Sequence, residues 1–354
     1  MTRKPIVLIG GARPNFMKIA PLYHELLRRH MPVVLINAGQ HRDPALSSDF
    51  FAEFRMRADH TLHLEAASPD AFIDVATEKL VAALRELEPG AVVVFGDVNA
   101  TLAGARAAAK LGLPLAHVEA GLRSGNVRMR EEHNRIEVDL LASLLFVTEE
   151  SGTNNLQRER VKGDVHEVGN IMIDTAALFF PKLRAPQSGD FYFATVHRAE
   201  NVDDRTVFGE IIDALDAVAK DAPIYLPLHP RTKKQAEAFG LMDRLAGTVR
   251  LLPPLSYTDA LSYERFAKLV LTDSGGIQEE TSFLGTPCIT LRAETERPVT
   301  VEKGTNVIGG VTKASILKAY REYKERGFPR KKVVIPLWDG RTAERITDVL
   351  EKAL

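Results

Sequence analysis

A single cysteine, Cys288, in 354 residues leaves no disulfide framework and no multi-thiolate zinc or iron–sulfur site. Between Pro287 and Ile289 it reads as a small buried hydrophobe rather than a nucleophile. Charge of one sign is equally scarce: 46 Lys and Arg face 47 Asp and Glu, a net charge of -1. A partner such as nucleic acid or an anionic membrane demands a basic footprint, so that balance argues against both and leaves local basic pockets open. No apolar run approaches the roughly 18 residues of a membrane span. The apolar stretch after the basic start Met1-Thr2-Arg3-Lys4 is too short for a signal peptide. A soluble, cytoplasmic chain is expected.

Several chemical signatures are missing as well. No His/Cys/Asp/Glu cluster has metal-ligand spacing, and neither a Walker A sequence nor a Gly-x-Gly-x-x-Gly fingerprint occurs. No Gly-x-Ser-x-Gly elbow appears, nor any low-complexity segment or short-period repeat.

What is present is an ordinary globular composition, 45% hydrophobic and 26% charged, at a length that suits two domains of about 170 residues. Short runs rich in Val, Ile and Leu read as strands at Ile6–Ile9, Val33–Asn37, Val92–Phe95, Leu115–Val118, Leu144–Val147 and Val165–Val168. They lack period-2 alternation, as parallel strands covered on both faces should. Amphipathic stretches between them, such as Phe16–His30, Ala71–Leu87 and Thr101–Lys110, read as helices. After Phe179–Asp190, which has the composition of a connection, the pattern restarts. Its strands are Phe191–Thr195, Ile224–Pro227, Val249–Leu252, Leu269–Leu271 and Pro287–Thr290, and Arg341–Leu354 reads as a final helix. The fold class is α/β, two Rossmann-like halves, expected to face each other across a ligand cleft at the carboxyl ends of their strands.

Polar residues cluster at those strand ends. Gly10-Gly-Ala-Arg-Pro-Asn-Phe-Met-Lys18 runs from a strand into a helix, with Arg13 and Lys18 flanking the helix start. This is either an anion site or simply a solvated helix N-terminus. Asp97 and Glu119 stand at strand ends, where carboxylates serve structural pairing or proton transfer. His117, inside the strand, reads as a satisfied core histidine. Glu131 and Glu132 open a helix, where acids also complement the helix dipole. His197 ends the first strand of the second half, a place suited to acid–base work or a phosphate contact. Leu271-Thr-Asp-Ser-Gly-Gly-Ile-Gln-Glu-Glu280 is the most informative stretch. Its bare turn Ser274-Gly275-Gly276 can cradle a diphosphate, Glu280 can reach ribose hydroxyls, and Arg292 and Arg297 are candidates to clamp the diphosphate.

Taken together these strings resemble the non-hydrolysing UDP-N-acetylglucosamine 2-epimerases. The matches are Gly-Ala-Arg-Pro with Lys18, Gly39-Gln-His-Arg42, Gly96-Asp97, His117-Val-Glu-Ala-Gly-Leu-Arg123, Glu131-Glu132 with Asn134-Arg135, Gly169-Asn170, His197-Arg198 with Glu200-Asn201, Asp273 to Glu280, and Thr295-Glu-Arg-Pro298. They run in family order from about residue 8 to 310.

The resemblance implies the GT-B glycosyltransferase fold. The first domain would span about 1–170, with the helix 341–354 packing back on it, and the UDP-binding domain 171–340. It also implies interconversion of UDP-N-acetylglucosamine and UDP-N-acetylmannosamine through 2-acetamidoglucal, with no cofactor and no required metal, in a homodimer. By motif position the acid–base residues fall on Asp97, Glu119 and Glu131, with His197 near the diphosphate. Nucleotide contacts fall on Arg13, Lys18, Ser274, Gly275, Gly276, Glu280 and Arg297. In many bacterial members a second UDP-N-acetylglucosamine binds as activator, and Gln40, His41 and His229 match part of that site.

The chain departs from the family at Arg130, where Pro is usual, at His133 and at Val299. Only Tyr257 is available where an aromatic often covers uracil. Other readings are a relative acting on UDP-2,3-diacetamido-2,3-dideoxyglucuronate, a hydrolysing epimerase, a retaining glycosyltransferase and a non-catalytic nucleotide-sugar sensor.

Overall fold

The computed structural model describes residues 3–39, 50–127 and 129–354. The chain divides into two compact units, 1–177 with 336–354, and 178–335. In the first, seven parallel strands lie in the order β3-β2-β1-β4-β5-β6-β7. These are β1 (Ile6–Gly10), β2 (Val33–Asn37), β3 (His60–Thr61), β4 (Ala91–Phe95), β5 (Leu115–Ala120), β6 (Leu144–Val147) and β7 (Asp164–Glu167). β1, β4 and β5 are buried along their whole length. That explains their unbroken apolar runs: both faces of a doubly wound sheet are covered by helices.

The second unit repeats the plan with β8 (Tyr192–Thr195), β9 (Ile224–Pro227), β10 (Arg250–Leu252), β11 (Leu269–Thr272), β12 (Cys288–Thr290) and β13 (Asn306–Ile308), in the order β10-β9-β8-β11-β12-β13. In each sheet the order reverses once, between β1 and β4 and between β8 and β11. At such switch points the loops leaving the strand ends part in opposite directions and open a crevice for a ligand. Cys288 is fully buried in β12, where burial pushes its thiol up to about 12.

The first unit extends past the expected break at residue 170 because residues 171–177 are tied into it. The Thr175 hydroxyl donates to Met17 O (2.7 Å). The Asp174 carboxylate accepts from the backbone N–H groups of Thr342 (3.0 Å) and Ala343 (2.7 Å), where the helix Thr342–Ala353 begins. That helix lies along Arg13–Arg28, and Arg29 reaches Asp348 (2.6 Å) and Glu351 (3.0 Å). The first helix starts at Arg13, earlier than its apolar periodicity indicates, because Pro14 supplies a pre-set φ in the first turn, where no N–H is needed. No helix among the described residues is long and apolar enough to cross a membrane.

Candidate active site

At the β1/β4 switch point the first unit assembles a buried polar cluster. Lys18, in the second turn of Arg13–Arg28, is 8% exposed and Glu119 3%, and the Lys18 ammonium donates directly to the Glu119 carboxylate. Two charges leave water together only with such a partner. Glu119 sits in a β-bulge: its neighbours Val118 and Ala120 pair with Phe146 and Val147, while its own φ is +70°. A left-handed backbone at a non-glycine residue is a strained conformation that surrounding structure must hold. The turn after β1 is bound to the end of β4 through Asn15, which accepts from Gly11 N (3.1 Å) and donates to Phe95 O (2.9 Å).

Asp97, just beyond β4, receives a hydrogen bond from Arg135, which also donates to Glu132 (2.7 Å). Glu132 further accepts from Ser124 N (3.0 Å), the Ser124 hydroxyl (2.9 Å) and Gly125 N (3.0 Å). Of the adjacent acids, Glu131 lies exposed while Glu132 is buried. The structure thus joins Asp97 to Glu132, a residue passed over as a site candidate, rather than to Glu131. The helical register decides this, because Glu132 and Arg135 stand three residues apart on one face. Arg13 lies with its guanidinium 5.3 Å from the centre of the Phe50 ring. Gln40 and His41 fall outside the described residues.

In the second unit the switch point is organised by Asp273, fully buried just after β11. Its carboxylate accepts from His197 N (2.8 Å), Arg198 N (2.9 Å) and Asn201 Nδ2 (3.1 Å), and lies 3.0 Å from His197 Nδ1. Burial pushes its acidity down, but the His197 ring and these N–H donors outweigh burial and hold the carboxyl below its ordinary value. His197 stays partly exposed, with His229 beside it at 5.3 Å between ring centres. Ser274 opens the helix Gly275–Leu284 without a side-chain cap. Arg297 lies against that turn: a Cβ on Gly275 would fall 2.6 Å from Arg297 Nη1, so only glycine admits the guanidinium. Arg297 Nε is 2.6 Å from Glu279 Oε1.

Three residues named from the sequence lie buried among protein partners. Arg292, expected to clamp the diphosphate, is 4% exposed and spends both terminal nitrogens on Glu296 (2.8 and 3.0 Å). Despite burial, Arg292, Arg297 and Arg198 hold Glu296 well below the usual carboxylate range. Tyr257, the aromatic available for uracil, is buried edge-on against Phe179 at 5.1 Å and donates to Glu280 (2.7 Å). Glu280, expected at the ribose, is buried beside Glu264, another fully enclosed carboxyl.

Burial raises Glu280 to about 8 and, together with the nearby Glu280 carboxyl, lifts Glu264 well above the ordinary carboxylate value. Unfolded carboxyls ionise near pH 4.5, so between that value and about 8 the folded chain holds protons the unfolded chain has lost, and stability falls as pH rises. Each retained proton contributes a slope of up to about 1.4 kcal/mol per pH unit. Asp174, which burial raises to about 6, adds to the slope only at lower pH. Glu264→Gln, which keeps the donor but removes one retained proton, is expected to flatten the stability–pH curve above about pH 6.5. Urea unfolding across that range checks it; an unchanged slope would mean that Glu264 retains no proton in the folded chain.

Comparison with known proteins gives the family. A family model of UDP-N-acetylglucosamine 2-epimerase matches residues 24–351. The chain is 34% identical to the UDP-N-acetylglucosamine 2-epimerase of Methanocaldococcus jannaschii, over 97% of this chain and 98% of that protein. It is 36% identical to the UDP-2,3-diacetamido-2,3-dideoxy-D-glucuronate 2-epimerase of Pseudomonas aeruginosa, over 89% and 91%. The crystal structure of the M. jannaschii enzyme with UDP-GlcNAc and UDP superposes with a TM-score of 0.89, covering 98% of this chain and 99% of that one. The UDP-GlcNAc 2-epimerase of Neisseria meningitidis bound to UDP-GlcNAc gives 0.90 at 27% identity, covering 98% and 100%. With two parallel-sheet units of the GT-B fold and this likeness along nearly its whole length, the chain belongs to the UDP-N-acetylglucosamine 2-epimerase family of enzymes.

Proposed function

We propose that the protein reversibly interconverts UDP-N-acetylglucosamine and UDP-N-acetylmannosamine. The observation that carries this reading is the buried Lys18–Glu119 pair, with the carboxylate held on a strained backbone beside Gly96. In the first step a carboxylate takes the C2 proton, the C1–O bond to UDP breaks with its electron pair leaving on the diphosphate, and a C1=C2 double bond forms. In the second, a proton reaches C2 on the opposite face as the UDP oxygen adds back to C1. All atoms return, so neither an oxidant nor a reductant takes part.

The C2 hydrogen is weakly acidic and must leave one face and arrive on the other, which calls for at least two positioned acid–base groups. Glu119 and Asp97 are assigned to that pair, with Glu131 as the third acid of the motif. Charge developing on the departing diphosphate calls for preorganised donors; Lys18, Arg13, Arg297, His197 and the N–H groups of Ser274-Gly275-Gly276 supply them. Activation by a second UDP-N-acetylglucosamine at Gln40, His41 and His229 would show as a sigmoidal rate curve.

The test is proton NMR of the protein with UDP-N-acetylglucosamine in deuterated water. The expected result is the manno epimer with deuterium at C2 and loss of the C2 proton from recovered substrate. The 36% identity to a UDP-2,3-diacetamido-2,3-dideoxy-D-glucuronate 2-epimerase favours a second reading with that sugar. Exchange confined to it would replace the first substrate; no exchange with either, in protein that binds UDP, would overturn epimerisation.

A further inference from the structure

His117 is completely buried in β5, and each ring nitrogen meets an oxygen: Nδ1 is 2.7 Å from Asp139 Oδ1 and Nε2 is 2.8 Å from Gly96 O. A backbone carbonyl only accepts, so Nε2 carries a proton. Asp139 is fully buried, and its second oxygen accepts from Gly121 N (3.1 Å) and lies 2.8 Å from an Arg123 nitrogen. A carboxyl receiving those donors is ionised. An ionised Asp139 facing an unprotonated Nδ1 would place two lone pairs in contact, so Nδ1 is protonated too. The ring is therefore an imidazolium. Charge balances locally, because Arg123 also meets Glu159 (2.5 Å), giving two cations and two anions.

The position of this ion pair gives it a use. Asp139 holds His117 on one side of Glu119 and Gly121 on the other, bracketing the bulge that keeps Glu119 at φ +70°. The opposite edge of the same ring grips Gly96, the residue before Asp97. One imidazole thus spans the two strand ends that carry the two assigned acids. A Cβ on Gly96 would lie 3.0 Å from Lys18 Nζ and 3.2 Å from Glu119 Oε2, so the gripped loop also forms a wall of the Lys18–Glu119 pair.

We propose that His117, held as an imidazolium by Asp139, is a positioning residue that fixes the spacing between Glu119 and Asp97. It touches no reacting atom and acts through the two loops it joins. This rests on the epimerase reading for its catalytic consequence but not for its charge state. Because Asn presents its amide near the place of Nδ1 and Gln near that of Nε2, His117→Asn keeps the bond to Asp139 and His117→Gln the bond to Gly96. Each is expected to lower kcat about 10- to 100-fold, the loss that misplacement by about 1 Å brings, with KM and UDP affinity unchanged. Asp139→Asn should act like the histidine variants, and Asp139→Asn/His117→Gln should lose no more than the worse single change, since both sever one strut.

The charge state is read independently of turnover from the ¹⁵N resonances of the His117 ring. Both nitrogens are expected in the protonated range. Split shifts of a neutral tautomer would overturn the imidazolium assignment. Wild-type kcat in folded His117→Asn and His117→Gln, or losses that are additive and confined to KM, would overturn the positioning role. Failure of the wild type to exchange C2 protons would instead strike the epimerase reading, leaving the ring resonances to decide the rest.

Discussion

Exchanging Glu119 for Gln is expected to lower kcat for C2 epimerisation by about 10²- to 10⁴-fold, the range for removal of a positioned general base or acid. The carboxylate is buried, sits on a left-handed backbone and is paired with a buried ammonium. A purely structural pair would not need the bulge, because a carboxylate in regular strand geometry can meet a lysine without backbone strain. The variant also leaves Lys18 facing a neutral amide, which costs stability because the ammonium stays out of water. Structure and chemistry are therefore separated by a second change. Lys18→Met/Glu119→Gln should recover much of the stability lost in the single variant, as removing both partners of a buried pair is often neutral. It should recover none of the activity. Urea unfolding and C2 deuterium exchange, measured on both variants, decide the matter; activity returning with stability would make the pair merely structural.

Much of this arrangement is written in short-range pattern and some of it is not. Buried parallel strands are legible because both faces are covered: β2, β6 and β9 begin and end at the residues their apolar runs indicate. The two-residue β3 and three-residue β13 escape because edge strands that short carry no pattern. Motif position sets Asp97, Glu119, His197 and the Asp273 turn at strand ends, and they lie there, beside the two switch points. It does not find which side chains meet. Whether Glu131 or Glu132 turns inward depends on the register of one helix, and Arg292 looks like a free anion clamp until Glu296 lies across it. His117 is legible as satisfied, yet what satisfies it, an acid 22 residues on and a carbonyl 21 residues back, is a tertiary fact.

Asp273→Asn tests the second switch point and is expected to destabilise the protein by about 3–5 kcal/mol, the usual effect of breaking a buried charged pair. The carboxylate is fully buried and accepts from two backbone N–H groups and Asn201 while facing the His197 ring. An amide of the same shape turns an NH₂ group toward donors, so the loss includes polar groups left unpaired in the interior. The sign with pH follows from the depressed carboxyl. The unfolded group ionises near 3.8, so its contribution is complete above that value and is lost as pH falls through the lower folded value. Wild-type stability should therefore drop steeply below about pH 4, and the variant should be flatter there. Function should fail for a related reason. In the proposed reaction, with Nδ1 facing Asp273, the other ring nitrogen of His197 is the one left for the diphosphate, and the amide no longer enforces that choice. UDP affinity measured by calorimetry in refolded Asp273→Asn should fall along with kcat, whereas His197→Asn, which keeps the buried carboxylate, should lower activity with a smaller change in stability. Equal stability losses in both variants would mean that the histidine, not the web of donors around Asp273, holds this strand end together.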